Sequence, residues 1–384
     1  MRIGLFIDTF YPMVDGVINV VDNYAKELLN YGEVTVFCPL INDTRIENTP
    51  YKVVQCNSIA VKGLDYSLPL PNFDAKFLKQ LNKSNLDIVH IHSPFTVGEL
   101  GKNYAKRKKI PVVATIHSQF RQDFERAVKG KVAVDIMTSI IMKTFNGCDL
   151  CYALNEGMKS LYAKEYGLTA PCIIRQNATS HTPVENKSLA KKEINDLYKI
   201  GENQKVFLFV GRINFLKGVD LIVNTLEILR DKGVDFKMLF VGTGQDETPL
   251  NELIDRLLLR DRVVFTGKIT DKSMLEKLYA RADLFVFPSK YDANSLVQIE
   301  SACQSTPTVF SRGAITASQI TDGENGFLAE YSPDGLANKI IEIISDTPLY
   351  ERVCKNAKRD LYKNWKTVVY ETYLDYERLI RQKE

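Results

Sequence analysis

No apolar run in this 384-residue chain approaches the roughly 18 residues that a membrane-spanning helix needs. Met1-Arg2-Ile3-Gly4 opens like a strand rather than a signal peptide, so a cytoplasmic protein is expected. Neither sign of charge is in excess: 50 basic against 47 acidic side chains leave a net +3, which gives no support for nucleic acid as a partner. Cysteine is scattered and odd in number, at seven residues, which suits reduced thiols rather than a disulfide framework. Cys148 and Cys151 form a C-x-x-C, but no second pair or histidine cluster completes a zinc site, and they read as core or strand thiols. The G-x-x-x-x-G-K-[ST] of a P-loop triphosphatase is missing, and there is no internal repeat or low-complexity segment.

What is present is a rhythm of strand, loop and helix. Strands are expected at Arg2–Ile7, Glu33–Phe37, Asp87–Ile91, Val112–Ile116 and Leu150–Ala153. After Asp15-Gly16 comes a helix with Val21, Tyr24, Ala25 and Leu28 on one face. The polar stretch from Asn177 to Lys191 carries Pro183 and breaks the periodicity. The rhythm then restarts at Lys205–Val210, Phe236–Val241, Val263–Thr266, Leu284–Phe287 and Thr308–Phe310. One helix between these strands shows Leu250, Leu253, Ile254, Leu257 and Leu258 as its buried stripe. Short apolar runs alternating with helices call for parallel sheets covered on both faces. The expected class is therefore α/β, with two Rossmann-like, doubly wound domains facing a central cleft: 1–180, a linker over 181–195, and 196–364. A last helix, about 365–384, has an aromatic stripe of Trp365, Tyr370, Tyr373 and Tyr376; whether it packs back on the first domain is left open.

Ligands of such sheets sit beyond the carboxyl ends of the strands. There, Gly211 lets the backbone turn, Arg212 offers a planar fork, and Lys217 adds a point charge before the next helix. Gly242, in Val241-Gly242-Thr243-Gly244, marks a tight turn after the following strand, and Asp246 and Glu247 read as first-turn helix acids. Asp292 and Glu300 stand eight positions apart, where a loop runs into a helix. The helix start at Ser295, Leu296 and Val297 offers N–H groups to a phosphate, Glu300 could accept from a ribose diol, and Asp292 from sugar hydroxyls. Taken alone, the same segment is equally a turn cap and a solvated helix residue. In the first half, Asp8, Asp15 and Gly16 follow the first strand, and His92 and His117 close two later strands. His90 reads as packed inside and His181 as exposed in the linker. The basic run Lys106-Arg107-Lys108-Lys109 complements a helix end, or touches a polyanion or an anionic membrane.

In order and spacing these pieces resemble the retaining GT-B glycosyltransferases of family 4, known in bacteria as glycosyltransferase group 1. The resemblance rests on Gly211-Arg212 with Lys217-Gly218, the strand Ala282–Ser289, the two acids ending at Glu300, and Asp322-Gly323-Glu324-Asn325-Gly326-Phe327-Leu328. Tyr11-Pro12 with Asp15-Gly16, and Asp87-Ile88-Val89-His90-Ile91-His92, match the family's first loop and a later strand. It implies a nucleotide-sugar donor, UDP-linked before GDP- or ADP-linked, and a glycan, glycolipid or glycoprotein acceptor of the cell envelope. Arg212 and Lys217 then meet the leaving diphosphate, Asp292 and His117 the transferred sugar, and Glu300 the ribose. Gly16, Gly211, Gly242, Lys268, Asn294, Ser295, Leu296 and Val297 fall among the implied donor-binding residues. No metal or other cofactor is implied, since two cations and a helix terminus can meet the developing charge. The chain departs from the family where Asp292-Ala293-Asn294-Ser295 replaces a Glu followed by a Gly-Phe-Gly-like stretch, and where Asp15-Gly16 replaces Gly-Gly. That variation motivates a second reading, a GT-B subunit that binds and supports a partner transferase; a nucleotide-sugar epimerase on the same fold is a third, without the additional acids it would need.

Overall fold

The computed structural model of the protein describes residues 1–13, 15–60 and 67–384. They form two compact units: Met1–Asn177 with Trp365–Glu384, and Ala178–Asn364.

Unit one holds β1 (Arg2–Phe6), β2 (Glu33–Pro39), β3 (Lys52–Cys56), a small antiparallel pair of β4 (Ser58–Ala60) and β5 (Ser67–Pro69), β6 (Ile88–Ile91), β7 (Val112–Ile116), β8 (Leu150–Ala153) and β9 (Cys172–Ile174). Its main sheet runs β3-β2-β1-β6-β7-β8-β9, parallel throughout. Every residue of β6, β7 and β8 is buried, as continuous Val/Ile-rich runs must be when helices cover both faces. The helix Gly16–Leu28 starts where the Asp15 carboxylate accepts from the Ile18 N–H at 2.9 Å, and it buries Val21, Tyr24, Ala25 and Leu28 as its periodicity requires. The terminal helix Trp365–Lys383 belongs to this unit. Trp365 packs edge-on to Tyr24, Asp375 takes an ion pair from Arg175 at 2.7 Å, and Tyr376 is fully buried. The aromatic stripe divides: Trp365 and Tyr376 face inward, whereas Tyr370 is exposed and Tyr373 stacks on Tyr31 at 4.5 Å.

Unit two holds β10 (Lys205–Val210), β11 (Phe236–Val241), β12 (Val263–Gly267), β13 (Leu284–Phe287), β14 (Thr308–Ser311) and β15 (Phe327–Ala329), in the order β12-β11-β10-β13-β14-β15. In both sheets the chain winds outward one way from the first strand and then outward the other way. The point of reversal, between β1 and β6 and again between β10 and β13, is where doubly wound sheets open a crevice at their carboxyl ends. Two expectations change. The stretch 181–195 is no plain linker: it carries the start of the helix Lys187–Tyr198, whose Ala190 and Ile194 are buried in unit two. Leu258 lies beyond the helix Glu247–Arg256 in a left-handed conformation and is exposed, so the buried stripe rests on Leu250 and Ile254.

Candidate functional site

In unit two the expected residues gather at the carboxyl ends of the strands. β10 runs out into Gly211 and exposed Arg212, β11 into Gly242, and β12 into exposed Lys268. A single 3₁₀ turn, Phe215–Lys217, begins where the Asn214 side chain accepts from the Leu216 N–H at 2.8 Å. It ends at Gly218, whose φ of +72° suits glycine and turns the chain into the helix Val219–Asp231. That turn aims Lys217 across to the loop after β13. Its ammonium donates to both oxygens of Asp292, at 2.7 and 2.9 Å, and lies 5.6 Å from the Phe287 ring centre. Ser289 donates to the same carboxylate at 2.6 Å. Both charged side chains are largely shielded, at 19% and 16% exposure, so neither can lose the other without leaving a poorly solvated charge.

Downstream, Ser295 caps the helix Leu296–Cys303 through its backbone alone, with no side-chain cap hydrogen bond. The first-turn N–H groups at Leu296 and Val297 therefore have no capping side chain and face the dipole's positive end, a setting that favours an anion. Glu300 sits one turn further in. Its carboxylate accepts from the Tyr279 hydroxyl at 2.9 Å and lies 3.9 Å from His181 Nε2. Burial pushes its pKa up, against the pull of His181 and Tyr279. It is thus no solvated helix residue but a shielded acceptor. His181 is likewise not exposed: it is buried between Glu276 and Glu300. Asn294 is half-buried in the connecting loop.

In unit one, His117 follows β7 and His92 follows β6, and His117 Nε2 lies 3.1 Å from His92 Nδ1. His90, its ring tilted against that of His92 with centres 4.0 Å apart, bridges the Tyr376 hydroxyl at 2.5 Å and the Thr115 hydroxyl at 2.7 Å. Burial pushes all three imidazoles toward the neutral form, His117 down to about 3 and the other two well below their ordinary value. His117 can therefore offer a hydrogen bond but no charge. Gly16, at the helix start, has nothing described within 4 Å of where a Cβ would stand, so packing among the described residues does not demand glycine there. Asp8 collects Ser93 Oγ at 2.7 Å, Thr96 Oγ1 at 3.1 Å and the Val97 N–H at 2.7 Å, an organiser of the helix Thr96–Lys108.

The histidines make stability pH-dependent. Their folded pKa values lie below the ordinary 6.5, so the unfolded chain takes up protons first as pH falls. The stabilisation is complete above about pH 6.5 and is lost progressively below it, at up to roughly 1.4 kcal/mol per histidine per pH unit. The melting temperature of unit one is expected to drop steadily from pH 6.5 to 5. A flat profile over that range would contradict the buried, neutral triad.

The family model described as Glycosyl transferases group 1 matches residues 190–360, and that described as Glycosyltransferase Family 4 matches residues 14–178. The chain belongs to glycosyltransferase family 4. This glycosyltransferase is 27% identical over 395 residues to the alpha-monoglucosyldiacylglycerol synthase of Streptococcus pneumoniae, covering 98% of this chain and 86% of that one. Sucrose-phosphate synthase from Thermosynechococcus elongatus superposes with a TM-score of 0.79 at 20% identity over 99% of each chain. Anabaena HepE, in complex with UDP and glucose, does so with a TM-score of 0.76 at 16% identity over 98% of this chain and 99% of that one. These structures share the GT-B fold. Sequence reasoning missed Ser289, Tyr279 and His181 as partners of the two acids. The polar Pro288-Ser289 at a strand end was the only local signal, and the other contacts span at least 21 residues.

Proposed function

We propose that this glycosyltransferase is a retaining, metal-independent enzyme that moves a hexosyl group from a UDP-sugar to a hydroxyl of a glycolipid at the cytoplasmic face of a membrane. The observation that carries the reading is the Lys217–Asp292 pair at the end of β13, four residues before a helix start that lacks a side-chain cap. A cation and free N–H groups placed together suit a diphosphate that gains negative charge as its bond to the sugar breaks. Asp292, once Lys217 turns to phosphate, is released to accept sugar hydroxyls. Glu300, shielded and holding one firm hydrogen bond from Tyr279, suits a ribose diol. In unit one, neutral His117 is assigned a hydrogen bond to the sugar, and the open backbone at Gly16 is assigned to the donor phosphates.

Bond changes balance without a protein nucleophile. The C1–O bond to UDP breaks, a C1–O bond to the acceptor oxygen forms on the same face, and the acceptor's proton passes to the departing phosphate oxygen. The oxocarbenium-like sugar between these events gains most from the fixed charges around it. UDP is favoured by the UDP and glucose held by HepE, and a lipid acceptor by the diacylglycerol in the pneumococcal relative's name. Incubation with a panel of UDP-, GDP- and ADP-sugars, with and without diacylglycerol or its glycolipids, tests the reading. UDP release in chelator, and product whose anomeric NMR coupling matches the donor, are expected. The absence of both UDP release and UDP binding across the whole panel would sink it.

A further inference from the structure

The helix Lys131–Phe145 is apolar on two faces, only one of which is used. Val134, Thr138, Ile141 and Phe145 are buried in unit one. On the opposite side Val132, Ile136 and Ile140 are 73%, 56% and 55% exposed. Their spacing of four puts them in one stripe along the outward face. Scattered exposed leucines and isoleucines are ordinary on a protein surface; a contiguous row of β-branched side chains over more than two turns is not, and such rows mark contact with something apolar.

The charges beside the stripe say what that something is. Lys143 lies on the same outward face one turn beyond Ile140, and Lys129 and Lys131 stand exposed at the helix start. The one acid of the helix, Asp135, is already taken by Arg121 at 2.7 Å. Exposed lysines framing an apolar stripe match a bilayer with anionic headgroups: the side chains enter the acyl boundary while the ammonium groups stay at headgroup level. A second copy of this chain would instead bring like charges together across the seam. The basic run Lys106–Lys109 lacks this combination. It sits at the end of the helix Thr96–Lys108, where cations complement the dipole and Lys109 closes the turn in a left-handed conformation, and among the described residues no exposed large apolar side chain lies in that helix.

We propose that the outward face of Lys131–Phe145 is a membrane-docking surface that seats this chain on anionic lipid. The proposal stands on that face alone and is independent of donor and acceptor identity, so it is tested without turnover. Full-length protein is floated with vesicles of phosphatidylcholine, or of phosphatidylcholine with about one-third phosphatidylglycerol, at low and high salt. Binding to the anionic vesicles, weakened by salt, is expected. The pair Ile136→Glu with Ile140→Glu should reduce it at least ~10-fold, and Lys143→Gln should reduce it by about fivefold, in line with one headgroup-level charge. Circular dichroism and melting confirm the fold. If the glutamate pair does not fold, Ile136→Ser with Ile140→Ser is read the same way. The proposal is overturned if the chain fails to float, if it floats equally with both stripe residues replaced, or if sedimentation shows a dimer that the stripe variants break while vesicle binding is nil.

Discussion

Lys217→Ala is expected to lower glycosyl transfer at least ~100-fold, with most of the loss in kcat. The size follows from what the ammonium is asked to do. Removing one fixed charge partner from a transition state that is gaining negative charge costs about 3–4 kcal/mol, or two to three decades in rate. The same side chain also neutralises Asp292 in the unliganded protein, at 2.7 Å. Its loss removes that cation from a carboxylate to which Ser289 still donates, at a position 16% exposed. A cost of about 1 kcal/mol in stability is therefore expected beside the kinetic one; it should be visible in a melt and too small to explain the rate. Asp292→Asn separates the two effects, because it frees Lys217 for phosphate while weakening the hold on sugar hydroxyls. Donor affinity should survive better than turnover in that variant. Arg212→Ala is expected to match Lys217→Ala if its exposed fork closes on the diphosphate. Lys217→Arg keeps the charge but not the point geometry and should recover part of the rate. Steady-state rates with the preferred UDP-sugar decide the matter. Unchanged turnover in both alanine variants would remove the diphosphate role from this loop.

Several interior strands were readable from sequence to the residue, and β1, β2, β6 and β14 to within one or two. Val112–Ile116, Leu150–Ala153, Lys205–Val210, Phe236–Val241 and Leu284–Phe287 all form strands with those bounds, because a strand covered on both faces must be apolar along its whole length. Strands at sheet edges carry no such obligation. Lys52–Cys56 and Cys172–Ile174 close the first sheet and Phe327–Ala329 ends the second, and each is short, partly polar or half-exposed. The last lies inside a turn motif whose glycines and Asp322 dominate the local signal. At the candidate site, the residue types were legible from their places after strands, but their pairings were not. Lys217 and Asp292 are 75 residues apart, and no periodicity ties one to the other. His181 was misread because a polar neighbourhood in sequence suggests exposure, whereas its burial comes from Glu276 and Glu300, about a hundred residues on. The helix Lys131–Phe145 shows the opposite failure: apolar side chains on two faces leave no single stripe for periodicity to find.

Gly242 carries a second large effect, because it is where three strands of unit two meet without room for a side chain. Its φ of +131° is one that L residues rarely adopt, and a Cβ there would stand 2.0 Å from the Gly211 carbonyl oxygen. The obstacle is backbone, and it cannot swing aside. The Gly211 N–H is bonded to the Val241 carbonyl and the Gly242 N–H to the Gly267 carbonyl, each at 2.9 Å. Forcing a methyl group into this place therefore pushes apart β10, β11 and β12 at the edge that carries Arg212 and Lys268. Backbone strain of about 1–3 kcal/mol and overpacking of a similar size add, so Gly242→Ala should lose about 3–5 kcal/mol from the stability of unit two. Gly313→Ala is the matched control. That glycine also has a positive φ, +78°, but nothing lies within 4 Å of its Cβ position, so only the conformational part, about 1 kcal/mol, should be lost. Urea unfolding followed by far-ultraviolet circular dichroism compares the two. A midpoint for Gly242→Ala far below that of Gly313→Ala assigns the cost to the close approach of two backbones. Equal midpoints would mean that the glycine is there for its φ alone, and that the contact with Gly211 can relax. UDP affinity, read by calorimetry under conditions where both variants remain folded, carries the argument to function. A tenfold or larger loss confined to Gly242→Ala would tie the spacing of β10 and β11 to the donor, because the same displacement moves the turn from which Arg212 reaches out.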